Sequence, residues 1–337
     1  MTTLRYLDAA ALRRALPMVA AIDAIEGVMR AAADGEASAP VRTVQSIARP
    51  GREGFVFLVM PGIWDTRGAA AAKVISYVPD NPAAGRASVQ GLAVLLDVET
   101  GSARLIADAS TLTTIRTGAV VGLATRLLAR PRCEVLGLIG TGGIASDLVA
   151  GVAAARPFER LLVNDARAEA ADSFVARIAG AGGSSPAAYT AERVRDNDEI
   201  AARADILVTA TSSLQPIVSP GCVRPGTHIN AVGNFSPHGR ELDGATVAAA
   251  TRYVDDVDNA LEEAGELILA AAEGLIPAGL DGLTGDLQGL VRGAVPARTS
   301  DDEITLFKTV GTALSDVAAL VAAAEAAERD DLGVLLG

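Results

Sequence analysis

Between residues 7 and 33, Leu, Ala, Ile and Met alternate with charges at helical spacing, and the pattern predicts two helices broken near Pro17. The run FVFLVM from Phe55 to Met60 reads as a strand that ends at Pro61-Gly62. A second strand, AAKVISYV, carries Lys73 near its start; after the turn-rich PDNPAAGR come GLAVLLD, a turn at Glu99-Thr100-Gly101, and ARLIAD. Strands so close together, joined by short turns, predict hairpins and an α+β first domain. Residues 110–130 predict a long helix with Arg116 in its first half and Pro131 as its stop. From there the rhythm becomes strand, glycine turn, helix, strand, the βαβ signature of a parallel sheet. EVLGLIG, RLLVND, ADILVTAT, THINAVG and ATRYVDD read as strands. IASDLVAGVAAA, AEAADSFVARIAG and ALEEAGELILAAAEG read as helices, and AGAGGSSP as a connector. The stretch from Ile304 to Ala327 predicts one final helix, expected to return to the first domain.

Composition narrows the class. The 337 residues suit two domains, half of them are apolar, and only 3% are aromatic, so the cores must be built from Ala, Val, Leu and Ile. A formal charge of −12 argues against nucleic acid or an anionic membrane as partner. Cys133 and Cys222 form no CxxC pattern, which argues against disulfides and zinc and favours a reducing cytoplasm. The first residues lack the apolar core of a signal peptide, and no apolar run reaches the roughly 18 residues of a membrane span. Among the cations there are 27 arginines but only two lysines, Lys73 and Lys308. In a chain that writes its cations as Arg, a remaining lysine is a candidate for chemistry that needs a compact, tunable ammonium.

Gly140-Thr141-Gly142-Gly143-Ile144-Ala145 is a GxGxxA string where a predicted strand enters a helix. The first glycine permits the tight turn, the second lets backbone amides approach a pyrophosphate, and Ala145 lets the helix pack close to the sheet. Asp165 closes the next strand 25 residues after Gly140, the place of a carboxylate on the adenosine ribose. These residues predict a Rossmann domain that prefers NAD over NADP, with Arg167 nearby as the feature that tempers the preference. In the first domain Arg42, Lys73 and Arg116 stand at strand or helix starts; each alone reads as a surface cation, and together they would suit a carboxylate and a proton transfer. Asp255-Asp256 and Asp301-Asp302-Glu303 read as a solvated loop and a helix start, so no metal site is expected.

The stretches APVRT, AAAKVIS, NPAAGRASVQGLAVLLDVETG, TTIRTGA, GLIGTGGIA, ADILVTATSS, PGTHINAVG, RELD and DEITLFKTVGTALSD, in that order, resemble the ornithine cyclodeaminase/mu-crystallin family over nearly the whole chain. The resemblance implies NAD(P)-dependent chemistry on amino or imino acids in a homodimer. It implies a substrate-binding and dimerisation domain over residues 1–122, an NAD-binding domain over 123–304, and a segment 305–337 that rejoins the first. It places Arg42, Lys73 and Arg116 at the substrate, with Arg116 at its carboxylate, near the cofactor as well, and Val310 closing over the substrate. Ser88 is placed against the cofactor, Gly140, Gly142, Gly143 and Ile144 at its pyrophosphate and Asp165 at its ribose. Thr209 or Thr211 is placed beside the adenine half; Ile229, Asn230, Ala231, Val232 and Thr309 line the nicotinamide side.

One position departs from the family. Cyclodeaminases carry a proton-handling aspartate two residues after the glycine of INAVG, and here Phe235 fills that slot. A phenyl ring is neither acid nor base, so an amino acid dehydrogenase or imine reductase with a less polar substrate is favoured. The alternatives are a cyclodeaminase in which Lys73 or His238 replaces the aspartate, and an NAD-binding protein without catalysis. Of the two histidines, His228 is expected to pack and His238 to be a candidate proton donor.

Overall fold

The computed structural model describes residues 4–49, 52–180 and 189–336, so residues 181–186 of the predicted glycine–serine connector lie outside the described part. The chain divides into two units, Met1–Ala119 with Thr312–Gly337, and Val120–Gly311.

In the first unit the strands are β1 (Leu4–Leu7), β2 (Ala37–Ser38), β3 (Thr43–Arg49), β4 (Arg52–Trp64), β5 (Ala69–Tyr77), β6 (Val89–Asp97) and β7 (Ala103–Asp108). From β4 to β7 each strand pairs antiparallel with the next, as the short turns require. A C-terminal strand, Val334–Leu336, completes the sheet beside β1. The helix Ala313–Arg329 packs on β4 and β5, and its Ala-rich sequence is buried on nearly every side. Small residues let it lie close: a Cβ on Gly62 would stand 2.9 Å from Val317 Cγ2. That contact corrects one expectation. Pro61-Gly62 does not end β4, which runs on to Trp64, because Gly62 serves the packing of a helix rather than a turn.

The second unit holds β8 (Val135–Ile139), β9 (Arg160–Asn164), β10 (Thr190–Arg193), β11 (Ile206–Thr209), β12 (His228–Ala231), β13 (Thr251–Val254), β14 (Gly285–Asp286) and β15 (Thr305–Lys308). Every pairing is parallel, in the order β10-β9-β8-β11-β12-β15-β13-β14. The order turns outward in both directions from β8 and β11, the topological switch point of a doubly wound sheet. Both faces are covered. Ile206 and Val208 of β11 enter one core, and Leu207 enters the other. This two-sided burial is why these strands read as continuous apolar runs rather than alternating ones.

Four further expectations are corrected here. The segment from Ile304 is first a strand, β15, and becomes helical only at Ala313, after Gly311 at φ +90° and the N-cap Thr312. Four buried residues carry no period that separates strand from helix. Residues 305–311 therefore belong to the second unit, which ends at Gly311 rather than 304, and the earlier cut falls at 119 rather than 122, within the helix Ala109–Leu128. ALEEAGELILAAAEG forms two helices, Val257–Glu263 and Gly265–Ala272, broken at Ala264, whose φ −79° and ψ 82° are not helical, and a Cβ on Gly265 would lie 1.9 Å from the Gly239 carbonyl oxygen. Asp255 is not in a solvated loop but fully buried.

Candidate active site

The first unit gathers the predicted cations. Lys73 lies on the inward face of β5, opposite Met60 and Ala93, and is 0% exposed. Its Nζ donates to Asp316 Oδ1 at 2.9 Å, and Arg116 Nε stands 3.2 Å from the same oxygen. Asp316 is itself buried, in the first turn of the C-terminal helix, where the helix dipole favours a carboxylate. Burial, then the charge of Arg116, and more weakly that of Arg42, push the Lys73 pKa down to about 7, against the opposing pull of Asp316. The result is an ammonium that gives up its proton near neutral pH, set among guanidinium groups that favour an anion. Ser88, just before β6, is partly buried, and its carbonyl accepts from Val78 N at 2.8 Å.

The second unit forms the dinucleotide turn. Gly140 has φ +100°, and a Cβ there would meet the Ala210 carbonyl oxygen at 2.5 Å, so the fold itself requires glycine. Gly142 and Gly143 are different: both are exposed, and a Cβ on either would meet nothing within 4 Å. Their bareness leaves room for a ligand, not for protein. They lead through Ile144 into the helix Ala145–Ala155, whose N-terminus has no side-chain cap. Asp165, at the end of β9, accepts from Thr141 N and Oγ1, both at 2.8 Å, and from Arg167 N at 2.9 Å. Burial opposes ionisation, but these donors prevail and hold its pKa below the ordinary range. Three bonds leave one of roughly four carboxylate acceptor sites for a hydroxyl. The turn, the bare glycines and the carboxylate fit a dinucleotide with an unphosphorylated ribose.

Several of the residues expected at the cofactor are buried. Thr209, Ile229, Asn230 and Ala231 are 0% exposed, inside the sheet rather than lining a surface. Asn230 Nδ2 donates to Thr125 Oγ1, and both Thr209 Oγ1 and Thr211 Oγ1 donate to Glu241. Val232 and Val310 are 8% and 7% exposed, and Thr309 Oγ1 donates to Asp255. Phe235 and His238 are exposed in the loop after β12. His228 packs, its Nδ1 3.0 Å from Thr305 Oγ1, with burial and then Arg298 driving its pKa to about 3, so it is neutral.

Among the buried acids, Asp316, Glu241 and Glu266 escaped the sequence reading, and Asp255 was read only as part of a solvated loop. The signal for Asp316 was present, a lone acid in the apolar run ALSDVAALVAAA, and Glu241 stood in RELD. Among the described residues no group of His, Cys, Asp and Glu is arranged to hold a metal ion, and no helix is long and apolar enough to cross a membrane.

Residues 6–331 match the model of the ornithine cyclodeaminase/mu-crystallin family. A Delta(1)-pyrroline-2-carboxylate reductase of Bacillus cereus is 35% identical over 279 residues, 82% of each chain. The structure of the Thermococcus litoralis Delta(1)-pyrroline-2-carboxylate reductase, in complex with NADH and L-proline, superposes with a TM-score of 0.92 at 31% identity, covering 98% of this chain and 100% of that one. An archaeal alanine dehydrogenase dimer with bound NAD superposes at 0.88 with 30% identity, covering 99% of each chain. The chain belongs to the ornithine cyclodeaminase/mu-crystallin family and is one of its dinucleotide-dependent oxidoreductases.

Proposed function

We propose that the chain interconverts a small α-imino acid and the corresponding α-amino acid with NAD(H). The observation that carries this reading is Lys73, bonded to Asp316 and fully buried, a burial that with the nearby Arg116 and, more weakly, Arg42 depresses its pKa to about 7. Arg116 and Arg42 hold the substrate carboxylate. Lys73 gives a proton to the imine nitrogen in reduction and takes it back in oxidation, a role matched to a pKa near the working pH. When bound, NADH supplies the hydride to the α-carbon. Asp165 selects it over NADPH, since a carboxylate repels a 2′-phosphate. Phe235, exposed where cyclodeaminases carry an acid, adds no proton carrier and suits an apolar substrate side chain.

The test is NADH oxidation with Δ1-pyrroline-2-carboxylate and with linear imino acids. Net oxidation supports the reading. Ammonia release from ornithine without net NADH change would replace it with cyclodeamination, and binding without turnover of any imino acid would leave a cofactor-binding protein only.

A second copy of the chain is the partner this reading favours. The register aligns Val59, Val74 and Leu92 across the outer face of β4–β6, with Ile63 two rows further along the same face, and Leu92, Ile63 and Val74 are 52%, 47% and 37% exposed. An apolar sheet face of this kind calls for a cover. Placing a buried-interface charge there by L92E is expected to convert a dimer to a monomer in light scattering; an unchanged mass would reject this face.

A further inference from the structure

The GxGxxA turn accounts for one side of the switch point; the other side is held by a network that no cofactor contact explains. Thr209, Ala231 and Lys308 occupy one row across the C-terminal ends of β11, β12 and β15. Glu241, fully buried, joins the first two of these ends. Its Oε1 accepts from Thr211 N at 2.6 Å and Thr211 Oγ1 at 2.8 Å, and its Oε2 from Gly233 N at 2.8 Å and Thr209 Oγ1 at 3.0 Å. The two loops approach so closely that a Cβ on Gly233 would lie 2.1 Å from the Thr211 carbonyl oxygen. Lys308 joins the third end. Its Nζ donates to the Asn234 carbonyl and pairs with Glu266 at 2.8 Å, and Glu266 in turn accepts from Glu241 N at 3.0 Å. All three side chains are 0% exposed.

We propose that Glu241, Lys308 and Glu266 are positioning residues that fix the loops after β11 and β12 for the nicotinamide half of the dinucleotide. The inference rests on the reading of this unit as an NAD domain, in which ligands bind at the carboxyl ends of the strands beside the switch point. The residue types follow from the geometry. Each Glu241 oxygen faces one backbone N–H, so a glutamine would turn its NH2 against a backbone donor in either orientation. At Lys308 a compact ammonium serves one carbonyl and one carboxylate at once, a point charge rather than a planar fork.

The test compares wild type, E241Q and the charge-neutral double variant K308M/E266Q, which removes the buried pair together and so protects the fold. Three quantities are measured: amide hydrogen exchange of Thr211 and Gly233 without cofactor, the Kd of NADH by fluorescence, and thermal unfolding. Both variants are expected to unfold as cooperative proteins, to exchange these amides at least tenfold faster, and to bind NADH at least tenfold more weakly. If E241Q fails to fold, the double variant decides. A double variant with wild-type exchange and wild-type NADH affinity overturns the positioning role. Wild type that binds no NADH overturns the dinucleotide reading, and with it the assignment of these loops to nicotinamide.

Discussion

The two lysines of this chain are buried alike and surrounded unlike. Lys73 and Lys308 are both 0% exposed, and each lies within 3 Å of a buried carboxylate, at 2.9 Å for Asp316 and 2.8 Å for Glu266. Around Lys73 the further charges are Arg116 and Arg42, and its proton is loosened until it titrates near neutrality. Around Lys308 the surroundings are acceptors: Glu266, the Asn234 carbonyl and, beyond them, Glu241. On the proposed reading the first is a proton carrier and the second a fixed tie between strand ends. Burial is the largest cause of the low Lys73 pKa, and Arg116 and Arg42 add to it against the pull of Asp316.

The largest expected effect separates charge from titration at Lys73. K73R keeps the positive charge but not a proton that leaves near neutral pH, so kcat for imine reduction falls by about 10²–10⁴-fold while NADH affinity is retained. Near-wild-type kcat in K73R, by steady-state NADH oxidation, would show that only charge matters there. At Lys308 the loss is one of stability. K308M leaves Glu266 buried without its cation and lowers unfolding free energy by about 3–5 kcal/mol in denaturant titration, with E266Q in the same chain recovering most of it. Equal destabilisation in the single and double variants would deny the pairing.

A subtler change tests the neighbours of Lys73. Its folded pKa is about 7 against an ordinary value of 10.5, so reduction, which needs the protonated form, slows as pH rises through about 7, and oxidation, which needs the neutral form, speeds up through the same window. Asp316 is the group that pulls this pKa upward, so D316N moves both limbs to lower pH, by about 1–3 units. Unmoved limbs would assign the titration to another group. The smallest effect is at the ribose: D165N weakens NADH by about tenfold, the value of one charge-assisted hydrogen bond, and narrows the preference over NADPH. An unchanged cofactor ratio in paired KM measurements would remove Asp165 from that role.

How much of this was legible beforehand differs between the two lysines as well. The scarcity of lysine marked both positions, and the family resemblance put Lys73 beside Arg42 and Arg116, where the structure gathers them. The resemblance also placed Thr209 and Ile229–Ala231 at the cofactor, whereas the fold buries them and hands Thr209 to Glu241. Those strings form buried strands of the parallel sheet. Motif likeness does not distinguish a residue that touches a ligand from one that shapes the strand end below it.

The sequence by itself determined the features that live within a few residues of one another. The hairpins of β4–β7, the βαβ rhythm, the glycine turn at Gly140 and the carboxylate at Asp165 all follow from local period and spacing. Only the tertiary structure decided which acid meets which lysine. Asp316 lies 243 positions from Lys73, and Glu266 and Glu241 reach Lys308 and the strand ends through a sheet whose order is not the order of the chain. Helix and strand periods report on neighbours along the backbone, while a proton's affinity is set by charges and solvent within a few ångströms in space. Chain distance and spatial distance part company wherever a fold joins distant segments, as it does at Lys73 and Asp316 and at Lys308 and Glu266.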